Sequence, residues 1–345
     1  MHLLPTQFVT TPIHQSDGAV ARLAGGMQWF AAYEVFDAGT RRTVPVAEIA
    51  ALGERAAQRH ARIVAPRAPL TLGERTLRFD QPLVAGILNV TPDSFSDGGA
   101  HQGDPAGAGA DMLASGAALV DIGGESTRPG AKTVWEGDEL ARVLPVVERL
   151  AKGGALVSID TRKAAVMEAA LGAGATIVND VSALLWDDRS LDVVARSGAP
   201  VVLMHSPNPK QGGHGKALYT NVLTDVFDWL EARVEMVVAA GVDRTRVIVD
   251  PGIGFGKSLA ENLQLLNGLA LFHGLGCPIM LGASRKRLIG ALSNEAPADQ
   301  RLGGSLALTL KGVEAGMQLH RVHDVVQTVQ AIRVWRGLRD QALVG

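Results

Sequence analysis

The sequence predicts an α/β fold, a (β/α)8 or TIM barrel with an N-terminal β-hairpin and an appended N-terminal segment. From about residue 69, short β-rich apolar runs alternate with longer Ala/Leu/Val-rich stretches of helical period, the pattern of repeated β-α units and a parallel sheet. The apolar runs number eight, at 84–90, 119–122, 156–160, 176–180, 201–204, 247–250, 278–282 and 319–322. Glycine is in excess, 40 of 345 residues, and clusters after these runs, where strands turn into loops and backbone approaches a ligand.

Residues 1–68 have a different texture. They show no strand-loop-helix repeat, an aromatic group of Trp29, Phe30, Tyr33 and Phe36, and one Ala/Arg-rich stretch over 46–63 with apolar positions at helical spacing. The segment reads as an appendage of unassigned role, its aromatics as core or interface, and the barrel domain as residues 69–345. Next, Leu70-Thr71-Leu72-Gly73-Glu74-Arg75-Thr76-Leu77-Arg78-Phe79 reads as two short strands around a glycine turn, a hairpin placed to plug the barrel's bottom. Amphipathic stretches at 138–152, 223–240 and 324–338 supply helices between the strands. A doubly wound open sheet is the competing architecture, and the count of eight units favours the closed barrel.

A chain of this length with 47% hydrophobic residues can bury a large core. Its net charge of −2, with acids and bases mixed, supplies no basic field for nucleic acid. The single cysteine, Cys277, excludes an intramolecular disulfide framework and a multi-cysteine zinc site and suits a reducing compartment, so the cytoplasm is expected. Met1-His2-Leu3-Leu4-Pro5 lacks a basic stretch followed by an apolar core, and every long apolar run is interrupted, so neither export nor membrane insertion is expected.

Polar residues follow every run. Asn89 leads into 91–99, and Gly123-Gly124-Glu125-Ser126-Thr127-Arg128-Pro129-Gly130 follows the second run. Asp160-Thr161-Arg162-Lys163, Asn179-Asp180-Val181-Ser182, Met204-His205, Asp250-Pro251-Gly252, Ser284-Arg285-Lys286 and Arg321-Val322-His323-Asp324 close the other six. One such Asp is as readily a helix N-cap, but eight consecutive polar strand ends point to a site at the C-terminal mouth. Asp250 to Ser258 ends in Gly-Lys-Ser like a phosphate-binding loop, yet Pro251 stands where its first glycine belongs and no third glycine completes a dinucleotide fingerprint. His101, His214 and His273 have no metal-ligand spacing and read as solvated.

The strings Gly86–Gly99, Asp121–Gly130, Asp250–Lys257, Ser284–Lys286 and Arg321–Val325 together resemble the dihydropteroate synthase family, the target of sulfonamides, from about residue 70 onward. The resemblance implies condensation of 7,8-dihydropterin-6-ylmethyl diphosphate with p-aminobenzoate, with Mg²⁺ assistance, by a homodimer acting on small molecules. It implies a pterin site of Asp121, Asp160, Asn179, Asp250 and Lys286. Asp250 would accept from the exocyclic amine and adjacent ring N–H in bidentate fashion. Asn89, Arg128, Arg321 and His323 would hold the diphosphate, with Asn89 also a ligand for Mg²⁺. Thr127, Arg128, Pro129, Phe255 and Ser284 would form the p-aminobenzoate pocket. Asp97 would offer negative charge beside a cation-like pterin methylene, and Lys286, Arg321 and His323 would complete the catalytic set. The arylamine is itself the nucleophile, so no Ser-His-Asp or Cys-His group is needed.

Two other readings compete. A methyltetrahydrofolate:corrinoid methyltransferase shares a pterin-binding barrel but has no diphosphate to hold, unlike a chain carrying Thr127-Arg128-Pro129, Ser284-Arg285-Lys286, Arg321 and His323. A catalytically silent pterin-binding paralogue would keep the pterin residues without turnover. The sequence departs from the family after Met204-His205, where Ser206-Pro207-Asn208-Pro209 replaces the usual Gln-Gly and leaves loop 206–216 unassigned.

Overall fold

The computed structural model describes residues 1–37, 39–91, 103–126, 131, 133–211 and 217–344. Asp97, Thr127, Arg128 and Pro129 therefore lie outside the described residues, as do His101 and His214.

The N-terminal segment is a sheet of its own. Strands β1 (His2–Val9), β2 (Ala21–Arg22) and β4 (Thr40–Pro45) all pair antiparallel with β3 (Trp29–Asp37). Phe30 and Tyr33 are fully buried against Leu3, Val35 and Ile63, the last supplied by helix α1 (Glu54–Val64). The single helix expected over 46–63 is two pieces, a 3-10 turn at Val46–Leu52 and then α1. Gly53 between them adopts φ +100, a left-handed conformation that ends the first and starts the second.

Strands β5 (Leu70–Leu72) and β6 (Arg75–Leu77) pair as the expected hairpin. The ring follows, as β7 (Leu83–Asn89), β8 (Leu119–Gly123), β9 (Val157–Asp160), β10 (Ile177–Asp180), β11 (Val201–Met204), β12 (Val247–Asp250), β13 (Met280–Leu281) and β14 (Leu319–Val322). Their spatial order is β12-β11-β10-β9-β8-β7-β14-β13, all neighbours parallel. A parallel bridge between Val249 and Ile279, with Val249 N–H donating to Pro278 O at 3.0 Å, joins the two ends and closes the barrel. The run at 278–282 yields a strand only at Met280–Leu281. Pro278 has no N–H to give a ladder, and the Ile279 N–H goes to the Gln318 side chain at 2.9 Å.

Around the ring lie α2 (Pro105–Ala114), α3 (Glu136–Lys152), α4 (Ala164–Gly172), α5 (Ser190–Ser197), α6 (Val222–Ala239), α7 (Leu259–Asn267), α8 (Arg287–Leu292), α9 (Leu302–Glu314) and α10 (Val325–Val344). No helix among the described residues is long and apolar enough to cross a membrane.

Strand side chains alternate between faces, so each strand feeds two cores. Val120, Ile122, Val157, Ile159, Val178, Leu203 and Val249 point outward and pack into the helix-facing core. One position away, Ala85, Leu119, Leu156, Ile177, Val202, Ile248, Met280 and Leu319 point inward and form an apolar floor with Leu70, Leu72, Leu77 and Phe79 of the hairpin segment. The hairpin is thus the barrel's plug.

The N-terminal sheet docks on the outside of the ring. Arg59 of α1 pairs with Glu231 of α6 at 2.5 Å, donates to Gly274 O at 2.9 Å and lies 4.8 Å over the Phe227 ring. His273 corrects a sequence expectation. It is fully buried at this seam rather than solvated, because residues 59–67 cover the turn Leu269–Leu275; its ring contacts Ala315 O at 3.0 Å, and Arg67 donates to its carbonyl at 3.0 Å. Burial and Arg67 push its pKa down to about 3, so it is neutral at working pH.

Replacing Leu77, 3% exposed in the plug, with Ala is expected to cost about 2–5 kcal/mol of stability, read as a lower denaturant midpoint. The strand ends above keep their register, so activity per folded molecule is expected to stay unchanged.

Candidate active site

Two residues beyond the floor, at the next inward position, the barrel interior becomes polar. Period two carries Leu119 to Asp121, Ile177 to Asn179, Ile248 to Asp250 and Leu319 to Arg321. Asp160 stands one inward step higher on β9, level with Gly123 on one side and Asn179 on the other.

Arg321 joins the acids. Its Nε donates to Asp121 Oδ2 at 2.5 Å and its Nη2 to Asp160 Oδ2 at 2.6 Å, while Asn179 Nδ2 also donates to Asp121 Oδ2 at 3.0 Å. The second oxygens, Asp121 Oδ1 and Asp160 Oδ1, are buried without a hydrogen-bond partner among the described residues. Buried polar atoms are ordinarily satisfied, so two orphaned acceptors side by side mark a place for a ligand's donors. Burial pushes the Asp160 pKa up to about 7; Arg321 opposes the shift, and Asp121, Asp180 and Glu139 add to it. Burial works to lower Arg321, but Asp121 and Asp160 hold it above its ordinary value, so it stays charged.

Asp250 ends β12 and is raised by burial, with one oxygen tied to Gly252 N–H at 2.7 Å. Gly252 sits at φ +70, and a Cβ there would lie 1.9 Å from His205 O, so both conformation and space demand glycine. Lys286 reaches back over this turn, its Nζ 4.2 Å from the Phe255 ring centre. Ser284 Oγ lies 3.0 Å from His323 Nδ1 and accepts from His323 N–H at 3.2 Å. Asn89 ends β7 with its Oδ1 beside Gly123, 3.7 Å from where a Cβ would stand.

The structure therefore brings together Asp121, Asp160, Asn179 and Arg321 by direct contact, Lys286 with Phe255, and Ser284 with His323. It sorts other polar strand-end residues into supporting work. Asp180, one position out of phase with Asn179, accepts from Ser182 N–H, Ser182 Oγ–H and Leu184 N–H, which is turn capping. Arg285, at φ +56, forms an ion pair with Asp324. The Gly-Lys-Ser lysine, Lys257, folds back on its own loop, donating to Gly252 O at 2.8 Å.

Sequence reasoning passed over a buried charge cluster behind the second loop. Glu125 accepts from Arg162 at 2.9 Å, Lys163 at 2.9 Å and Val134 N–H at 3.0 Å; Lys163 also pairs with Glu139, and Arg162 lies 3.7 Å over the Trp186 ring. Its only sequence signal was that Glu125, Arg162 and Lys163 stand in strand-end strings; Glu139 lies within a helix. Elsewhere, a cleft of about 560 Å³ opens between β1, α9 and α10, but it gathers no converging buried acids. The converging buried acids are at the barrel mouth.

A family model described as pterin binding enzyme matches residues 85–323. A dihydropteroate synthase of Bacillus subtilis is 43% identical over 258 residues, covering 74% of this chain and 88% of that protein. The structure of Xanthomonas albilineans dihydropteroate synthase with 4-aminobenzoic acid superposes with a TM-score of 0.74 at 45% identity, over 79% of this chain and 98% of that one. The same enzyme in complex with 7,8-dihydropteroate gives 0.71 at 43% identity, over 79% and 99%.

A Gly252→Ala variant combines left-handed strain with overlap on His205 O, together about 2–5 kcal/mol, and is expected to lower both stability and turnover. Gly241→Ala, at φ +104 with nothing within 4 Å, carries only the strain and is expected to leave turnover intact. Comparing denaturant midpoints and turnover of the two variants checks this.

Proposed function

The chain belongs to the dihydropteroate synthases, within the pterin-binding enzyme family, and from that membership we propose which side chains carry the reaction. The enzyme is a transferase. The C–O bond between the pterin methylene and the diphosphate breaks, a C–N bond to the amine of p-aminobenzoate forms, the amine loses a proton, and 7,8-dihydropteroate and diphosphate leave.

The observation that carries the assignment is the pair of orphaned oxygens on Asp121 and Asp160, with the Asp250 carboxylate across the mouth. A pterin presents an amine, ring N–H groups and a ring carbonyl along its edge, so it needs carboxylate acceptors on several sides and one cationic donor. Asp250 takes the bidentate edge, Asp121, Asp160 and Asn179 the remaining polar groups, and Lys286 the ring acceptors. Lys286 also lies over Phe255, which supports Phe255 on the p-aminobenzoate side; Ser284, Thr127, Arg128 and Pro129 are assigned there on the family's precedent.

Arg321 has five N–H donors, of which the bonds to Asp121 and Asp160 use two. We assign it, with His323, Arg128 and Asn89, to the diphosphate. Asp97 is assigned to stabilise positive charge on the pterin methylene. Because the arylamine attacks by itself, these residues work by orientation and leaving-group stabilisation.

Asn89 fits a Mg²⁺ ligand: its neutral, hard amide oxygen stands at the mouth beside a glycine that leaves room, and Mg²⁺ commonly takes few protein ligands plus phosphate oxygens and water. Bound there, Mg²⁺ would take up charge developing on the departing diphosphate. The chemistry belongs to the barrel, residues 69–345, since among the described residues none of the site contacts comes from residues 1–68. We further propose a cytoplasmic homodimer, on the family's precedent and the single buried thiol.

Purified protein with Mg²⁺ is expected to consume p-aminobenzoate only when the pterin diphosphate is supplied, releasing one diphosphate per dihydropteroate. Pterin binding without product would select the silent-paralogue reading instead. Asp250→Ala removes two charge-assisted bonds and should weaken pterin binding about 100-fold or more in calorimetry. Asp160 accepts best when ionised, and its pKa stands at about 7. Pterin affinity should therefore rise with pH, by at most about tenfold per unit, and level off above pH 7. Asp160→Asn should flatten that profile.

A further inference from the structure

The Gly-Lys-Ser segment serves no nucleotide, and its lysine has other work. Lys257 Nζ lies 2.8 Å from Gly252 O, 3.2 Å from Phe255 O and 3.0 Å from His205 Nδ1. An ammonium has three N–H donors, and these contacts take all three. A lysine ammonium has no lone pair to offer, so His205 Nδ1 must accept, which assigns the proton of the neutral ring to Nε2. His205 is 4% exposed, and burial together with Lys257 holds its pKa down to about 2, so it stays neutral and keeps that acceptor.

The turn needs such a brace. Gly252, Gly254 and Gly256 all adopt positive φ, at +70, +84 and +58, so the free segment has wide conformational freedom to lose. Asn262 of α7 secures its outer side, accepting from Gly254 N–H at 2.6 Å and donating to Lys257 O at 3.0 Å. Lys257 secures the inner side and links it to the β11 end, where His205 N–H donates to Asp250 O at 2.9 Å.

We propose that Lys257 is a positioning residue. Its ammonium, seated beneath the turn, fixes Gly252, whose N–H orients the Asp250 carboxylate, and Phe255, whose ring meets p-aminobenzoate. The inference rests on the substrate assignments of Asp250 and Phe255 made above.

The brace depends on protonation, since a neutral amine donates two hydrogen bonds rather than three. The groups facing Lys257 are His205 after β11, Asp250 at the end of β12, Glu261 in the first turn of α7 and Lys286 at the start of α8. Burial lowers Lys257 to about 7; Asp250 and Glu261 oppose the shift and Lys286 adds to it. Positioning should therefore loosen as pH rises through 7.

The test is steady-state kinetics of the full-length enzyme at saturating pterin diphosphate between pH 6 and 9, for wild type, Lys257→Met, Lys257→Arg and Phe255→Ala. At pH 6.5, losing the charged donor is expected to raise the KM for p-aminobenzoate about tenfold in Lys257→Met, with a smaller fall in kcat. Lys257→Arg, which keeps its charge throughout, should recover part of the loss and give a pH-independent KM. Wild-type KM should rise across pH 7. Lys257→Met within twofold of wild type, while Phe255→Ala raises KM, would overturn the inference alone. Unchanged KM in Phe255→Ala would instead remove the assignment of Phe255, and the inference with it. If Lys257→Met does not fold, the wild-type and Lys257→Arg profiles decide: a flat wild-type KM overturns the proposal, and a rise absent from Lys257→Arg supports it.

Discussion

At the barrel mouth one arginine is held between two buried aspartates, and the rest of the site depends on that contact. Taking a carboxylate or guanidinium out of water costs several kcal/mol per ion, so such a group persists only where pairing is close. The planar fork of Arg321 meets Asp121 at 2.5 Å and Asp160 at 2.6 Å with two different nitrogens. Burial raises the proton affinity of Asp160 against the opposing pull of Arg321, and with two acids sharing one base, one oxygen of each is left without a donor among the described residues. Those oxygens are buried acceptors open to a ligand's donors.

The contact exists because the ring closes above a dry floor. Arg321 and Asp121 are 200 residues apart in the chain, yet β7 alone separates their strands in the sheet. Beneath them, the inward residues of all eight strands and the β5-β6 hairpin form an apolar layer. With water excluded below, the fields of Arg321, Asp160 and Asp250 are less screened, and ligand discrimination by unpaired acceptors becomes sharper. No hydrogen bond or ion pair among the described residues joins the N-terminal sheet to these charged groups. That sheet rides on α6 and the turn after α7, where Arg59 and Arg67 fasten it.

A second layer of order surrounds the paired charges. The turn after β12 is built from left-handed glycines and pinned by Lys257 from below and Asn262 from outside. Behind the second loop, Glu125, Arg162, Lys163 and Glu139 form a buried cluster of two acids and two bases that also holds Val134 N–H. In both places the mouth is shaped by side chains that point away from it. A motif reading of Gly-Lys-Ser would send the lysine outward to a phosphate, and the fold turns it inward.

The sequence alone determined the eight β-α units and the plugging hairpin, because apolar runs, helical periods and a glycine turn need only local pattern. The structure separates Asn179, which faces the mouth, from Asp180, which faces outward and caps a turn, two residues that the sequence left together at one strand end. The motif strings also carried the family. Only the tertiary structure decided that Arg321 would pair with Asp121 and Asp160, that Lys257 would brace its own loop and that His273 would be buried beneath Arg67. It also shortened β13 to two residues, since the Ile279 N–H found Gln318. The reason is physical: local pattern fixes which stretches become strands and helices, while a residue's partner depends on ring closure, register and the loss of water, which involve residues far apart in the chain.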